Sequence, residues 1–271
     1  MKEREPTPLN IPERLSLYTY LLWVQVRNPS DYAIGVKSNV MLFGILNDIA
    51  HGKPQSRSIR EERRLFSFYT THATGTENIP QNGPFIFAAN HYNRGPLRGI
   101  WEATAITDVL ARNIPNGFDY RSRLIIDSKK DSTGLFGETP KRIGSQMIKH
   151  ALYNAAVTLD FIPEDKPLQA MKTLKSGNIV GVFPTSNAEF SLSRGLAKAG
   201  KLFEIATTYN APILPVGVYH LRKEKHFIIN IGKPLWCKPD LKNPISHQKT
   251  VDNVMSSIAS LLPLQMRGVY A

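Results

Sequence analysis

Two short runs, Phe85-Ile-Phe-Ala-Ala89 and Ile179-Val-Gly-Val-Phe183, contain no polar residue, and each stops abruptly, the first at Asn90-His91 and the second at Pro184. Runs this short, bounded by turn residues, read as strands, and a strand apolar on both faces must be covered on both. The segments between them agree with that layering. Ile100 to Ala111, Gly144 to Ala156, Leu168 to Lys175 (closed by Gly177), Ala197 to Tyr209 and Thr250 to Leu262 have helical character. Phe66 to Thr74, Arg123 to Asp127, Val157 to Ile162, Ile213 to Tyr219 and His226 to Ile231 read as further strands. Alternation of this kind predicts an α/β protein, with a largely parallel or mixed central sheet flanked by helices. In such sheets functional groups gather where the strands end.

The N-terminal region reads differently. Met1 to Arg14 is charged and Pro-rich, without the apolar core of a secretory signal. Leu15 to Val26 is apolar around most of a helix but is interrupted by Ser16, Thr19 and Gln25, and Val40 to Ile49 is a second short run. Crossing a bilayer takes about 20 consecutive apolar residues, so neither run spans one. Both suit helices that lie in a membrane interface or pack on the main domain. A basic stretch follows, with His51, Lys53, Arg57, Arg60, Arg63 and Arg64 against only Glu61 and Glu62. These features predict a helical, basic, membrane-facing segment over 1–64 and an α/β domain over 65–271.

Charge bears on the partner. Lys and Arg number 34 against 22 Asp and Glu, a net charge of +12, while 42% hydrophobic residues exclude a disordered chain. A surface this basic attracts an anionic partner. No recognition helix, zinc spacing or aromatic RNA-binding signature accompanies it, so an anionic membrane surface, CoA phosphates or an acidic carrier protein fits better than nucleic acid. The single cysteine, Cys237, excludes an internal disulfide and fits a reducing compartment. His220, His226 and His247 lack metal-ligand spacing. The chain has no Gly-x-Ser-x-Gly elbow and no phosphate-binding Gly-Lys-Ser/Thr loop. Lys129-Lys130, with Gly134 and Gly137 nearby, is a weaker candidate for meeting a phosphate.

The two strand ends hold the candidate chemistry. A histidine just past a buried strand, His91, stands at the rim of the sheet, where it can serve as a base. The turn Pro184-Thr185-Ser186-Asn187 offers small polar side chains and backbone N–H groups able to hold an anion or oxyanion. Thr74-Gly-Thr-Glu-Asn-Ile-Pro80, Gly83-Pro-Phe-Ile86, Asn90-His91, Phe183-Pro184 and Ala211-Pro-Ile-Leu-Pro-Val216 follow in order, and the chain closes on Leu261-Leu-Pro263 and Arg267-Gly-Val-Tyr270. This series, from about Phe66 to the C-terminus, resembles the glycerolipid acyltransferases, the family that includes the 1-acylglycerol-3-phosphate acyltransferases. The resemblance implies transfer of an acyl group from acyl-CoA or acyl-carrier protein, as co-substrate and without a further cofactor, to a glycerol-phosphate or lysophospholipid hydroxyl. It implies His91 as the base and a substrate set of Asn90, Pro184, Thr185, Ser186 and Asn187, to which Arg94, three residues past the histidine, adds positive charge. It also implies a cytoplasmic protein, peripheral on the inner face of the membrane.

Three positions depart from the family pattern. Pro96 stands where an aspartate orients the histidine, Thr185 stands where the Phe-Pro block carries a glutamate, and Pro163-Glu164-Asp165 falls where an arginine is expected. A carboxylate for His91 then has to come from elsewhere, with Glu102, Asp108 and Glu189 as candidates. Without one, transfer is expected to be slow and to rise with Pro96→Asp. The alternative is an inactive member that binds lipid or a protein partner.

Overall fold

The computed structural model describes residues 70–92, 98–115, 122–126, 162–163, 167–185, 190–221, 226–237 and 244–271. The segment 1–64, the Gly144 to Ala156 helix, Lys129-Lys130, Arg94, Pro96, Ser186, Asn187 and Glu189 lie outside them. The described residues all belong to one compact unit, Tyr69–Ser128 with Leu159–Ala271.

The elements, in chain order, are β1 (Thr70–Thr74), β2 (Ile86–Ala89), α1 (Arg98–Asn113), β3 (Ser122–Ile126), β4 (Ile162–Pro163), α2 (Pro167–Lys175), β5 (Ile179–Val182), α3 (Ala197–Thr207), β6 (Ile213–Leu221), β7 (His226–Ile231) and α4 (Pro244–Ser260). Two 3-10 turns, Leu264–Met266 and Gly268–Tyr270, end the chain's described part. The seven strands form one sheet in the order β1-β7-β6-β2-β5-β3-β4. Neighbours are parallel except β6 and β7, which run antiparallel. The sheet is therefore mixed, and the chain is α/β.

Position in the sheet explains the strand sequences. The central strands β2 and β5 are buried at all four positions, as their uninterrupted apolar runs require. Towards the edge, β7 alternates half-buried and buried residues and β1 alternates exposed and half-buried ones, the period-two signature of strands covered on one face. Within the centre, Phe87 pairs with Gly181, and a Cβ on that glycine would lie 2.2 Å from the Phe87 ring. The glycine makes room for an aromatic ring laid across the neighbouring strand.

Crossover handedness assigns the helices to faces. From β2 the chain passes through α1 to β3, two places along the sheet; through α2 and α3 it steps back the other way. Right-handed connections put α1 on one face and α2 and α3 on the other. The second face holds the main core, where Ile86, Ala88, Val180, Val182 and Ile213 pack with Ala170 and Leu174 of α2, Phe203 and Ala206 of α3, and Val251, Val254, Met255 and Ile258 of α4. The α4 residues recur at helical spacing and form one apolar stripe. That helix begins six residues before the apolar pattern does, because its first turns bury polar groups. Ser246 and Thr250 both donate to Glu204 Oε1 at 3.0 Å, and Gln248 donates to the Gly195 carbonyl at 3.1 Å.

Among the described residues no helix is long and apolar enough to cross a membrane.

Candidate active site

Parallel pairing brings the two strand ends together. β2 lies between β5 and β6 and is parallel to both, with Ala88 opposite Val182 and Ala89 opposite Val216. The residues that follow β2 and β5 thus leave the sheet along the same edge.

Asn90 fixes how the chain leaves. It is 2% exposed; its Nδ2 donates to the Val218 carbonyl at 2.8 Å, and its Oδ1 accepts the Val218 N–H at 2.7 Å. The side chain copies a peptide group and continues the β2–β6 ladder one step beyond the strand. The resemblance assigns Asn90 to the substrate. Here its oxygen and one of its N–H groups are engaged by β6, so its action on the site runs through the backbone of the next residue.

That next residue is His91. Its ring stacks on Phe183, the first residue after β5, with centroids 4.8 Å apart and an interplanar angle of 28°. Its Nδ1 lies 3.1 Å from Glu102 Oε2. Glu102, on α1, is fully buried, whereas the His91 side chain keeps 26% of its exposure. The same carboxylate oxygen accepts the Tyr92 N–H at 3.3 Å, so it holds both the imidazole and the backbone behind it. An ionised carboxylate only accepts hydrogen bonds. With Glu102 ionised, Nδ1 carries the ring proton and Nε2 keeps the lone pair. Two neighbours hold the ring: a carboxylate at Nδ1 and an aromatic face against it.

Of the two candidate carboxylates among the described residues, Glu102 and Asp108, Glu102 is the one the structure brings to the histidine. Asp108 lies further along α1 and pairs with Arg112, one turn on. The carboxylate beside His91 thus comes from α1, eleven residues further along the chain. A sequence signal for this exists. Glu102 precedes Ile106 and Leu110, both buried, by four and eight residues, which sets a carboxylate on the apolar stripe of α1. A charge there requires a partner.

On the β5 side, Pro184 and Thr185 are buried. Leu196 N–H donates to the Pro184 carbonyl at 2.9 Å, which folds the loop back towards α3. Cys237 is half-buried, and burial pushes its thiol up to about 11; it is a poor nucleophile at neutral pH. Among the described residues no group of three or more His, Cys, Asp or Glu side chains converges as a metal site would require.

Neither a scan against protein-family models nor a search of curated proteins finds a match. Among solved structures the chain is similar to the 1-acyl-sn-glycerophosphate (LPA) acyltransferase, PlsC, from Thermotoga maritima. The sequence identity is 18% and the TM-score 0.44, over 93% of this chain and 95% of that one.

Proposed function

We propose that this chain transfers an acyl group from a thioester, acyl-CoA or acyl-carrier protein, to the hydroxyl of a glycerol-phosphate or lysophospholipid acceptor in phospholipid synthesis or remodelling. The observation that carries this reading is the His91–Glu102 pair at the sheet edge, beside the β5 turn, in a chain whose ordered motifs resemble the glycerolipid acyltransferases.

The steps follow from the ring's protonation. Nε2 takes the acceptor's hydroxyl proton as its oxygen attacks the thioester carbon, and the imidazolium so formed faces Glu102. The tetrahedral intermediate collapses, the C–S bond breaks, and the leaving sulfur takes the proton from Nε2. Thr185, Ser186, Asn187 and the N–H groups of their turn hold the acceptor phosphate or the thioester oxygen, with Arg94 adding positive charge. The residues 1–64 hold the protein on the inner face of an anionic membrane through Leu15–Val26 and Arg57, Arg60, Arg63 and Arg64. Deleting 1–64 is expected to weaken sedimentation with anionic liposomes; equal sedimentation contradicts that assignment.

A second reading, an inactive protein that binds lipid or a partner, is favoured by Thr185 in place of the family's glutamate. The two separate in one assay. Both donors are offered with glycerol-3-phosphate, lysophosphatidic acid and other lysophospholipids, beside a His91→Ala control. Transfer that is lost in the control supports the enzyme. No transfer with any pair, or transfer indifferent to His91, supports the binding protein.

A further inference from the structure

The last residues of the chain are tied to the loop that joins β5 to α3, the loop that opens with Pro184 and Thr185. Where the loop ends, the Leu196 N–H donates to the Pro184 carbonyl at 2.9 Å. Leu192, buried within it, donates its N–H to the Met266 carbonyl at 2.9 Å and accepts the Val269 N–H at 3.2 Å. Three residues on, the Gly195 N–H donates to the Tyr270 hydroxyl at 3.3 Å, and that hydroxyl donates to Asp252 Oδ1 at 3.1 Å. The Gly195 carbonyl accepts Gln248 Nε2 of α4 at 3.1 Å. The backbone of the loop is thus taken up by the tail and by α4.

Gly268 permits that approach. Its φ is +56°, a left-handed value that favours glycine, and a Cβ there would lie 2.0 Å from the Leu192 carbonyl oxygen. A tail that only covered apolar surface would meet it with side chains. This one meets the loop backbone to backbone, which fixes the path of the loop itself. The same loop reaches the other strand end, since the Phe190 ring lies 6.1 Å from that of Tyr92, the residue after His91. We propose that residues 264–270 are a positioning strap for the acceptor site, closed by Gly268 and Tyr270. The strap touches no substrate. It holds the β5–α3 loop in the arrangement in which Thr185 meets the acceptor's phosphate, and so sets acceptor affinity rather than proton transfer at His91, whose ring Glu102 holds from α1. The inference rests on the proposed function for the role of Thr185. A loop that must order itself before binding loses affinity in proportion to the fraction of time it is ordered.

The test uses three full-length variants. Tyr270→Phe removes the hydroxyl alone, and Gly268→Ala drives a methyl group into the Leu192 backbone. Phe227→Leu, a buried change on β7, is the control for destabilisation outside the strap and its loop. Amide exchange at Leu192 and Gly195 reads the loop. Equilibrium dialysis of a short-chain lysophosphatidic acid, below its micelle concentration, reads acceptor binding without catalysis. Tyr270→Phe is expected to speed exchange at Gly195 and to weaken the Kd about fivefold, the worth of one hydrogen bond. Gly268→Ala is expected to weaken it at least about tenfold. Both keep kcat at saturating acceptor within about threefold of wild type, and the control keeps the wild-type Kd. Should Gly268→Ala fail to fold, Tyr270→Phe decides alone. Faster loop exchange with an unchanged Kd overturns the proposal. So does a wild type that does not bind the probe, an equal weakening in Phe227→Leu, or a fall in kcat with the Kd unchanged. A wild type that binds the probe and shows these Kd changes, yet transfers no acyl group, counts against the proposed function and leaves the strap standing.

Discussion

Among the described residues two glutamates are completely buried, and each meets a histidine. Glu102 on α1 lies 3.1 Å from His91 Nδ1, and Glu204 on α3 lies 3.4 Å from His247 Nε2. What surrounds the pairs sets them apart. Glu204 also accepts the Ser246 and Thr250 hydroxyls, both from α4, so it joins two helices, and His247 is only 12% exposed. Gly200 makes that junction possible, since a Cβ there would lie 1.8 Å from the His247 carbonyl oxygen. Glu102 instead holds a half-exposed ring that has just left a parallel strand, with an aromatic wall against it and a polar turn beside it. The same two residue types thus form a fastener inside a helix pair and, at a sheet edge, the pair proposed here as base and orienting carboxylate. Burial of a carboxylate therefore does not single out a candidate site; a partly exposed partner at the strand ends does.

The comparison gives its largest effect at His91. His91→Ala is expected to lower the transfer rate roughly 10³- to 10⁴-fold, the usual contribution of a general base, while His247→Ala leaves the rate within about twofold. Initial rates for the two purified variants decide this.

Stability should divide in the opposite sense. Glu204→Ala strips partners from two hydroxyls and an imidazole, and Gly200→Ala drives a methyl group into backbone. Each is expected to destabilise by about 2–3 kcal/mol, read as a lower denaturant midpoint, with the rate per folded molecule unchanged.

A smaller effect concerns Pro96. Since Nδ1 already faces Glu102, Pro96→Asp is expected to change the rate less than about threefold, in place of the rise that the sequence pattern alone would predict. A large rise would mean that Glu102 does not orient the ring.

Smallest is an acid effect outside both pairs. The Arg194 hydrogen bond holds Asp252 below its ordinary value of 3.8. A depressed carboxylate contributes stability that is present above the unfolded value and lost as pH falls through the folded one. The advantage of the wild type over Asp252→Asn in thermal unfolding should therefore shrink below about 3.8. It is modest at every pH because the pair is exposed.

Much of the fold was legible because the central strands are apolar without a break and their neighbours alternate. The start of α4 was not, because Ser246, Gln248 and Thr250 bury hydrogen bonds rather than hydrocarbon, and no periodicity records that. His91 and the β5 turn were legible as strand ends. Glu102 was legible as one of three candidate carboxylates for His91, and its contact with the ring was not, since contact across eleven residues depends on where α1 crosses the sheet edge. Asn90 was legible as a motif position only through the resemblance, and its two hydrogen bonds to Val218 depend on β6, which lies 128 residues away.

The central claim is that Glu102 orients His91 for base catalysis. Glu102→Gln keeps the side chain's size and removes its charge, and Glu204→Gln makes the same change at the helix junction. Acyl-transfer rates of the two, measured across pH with donor and acceptor saturating, test the claim directly. The account predicts a loss of at least about 100-fold for Glu102→Gln with an altered pH profile and partial recovery in Glu102→Asp, and a rate within about twofold of wild type for Glu204→Gln. Equal rates for the two glutamine variants would contradict it.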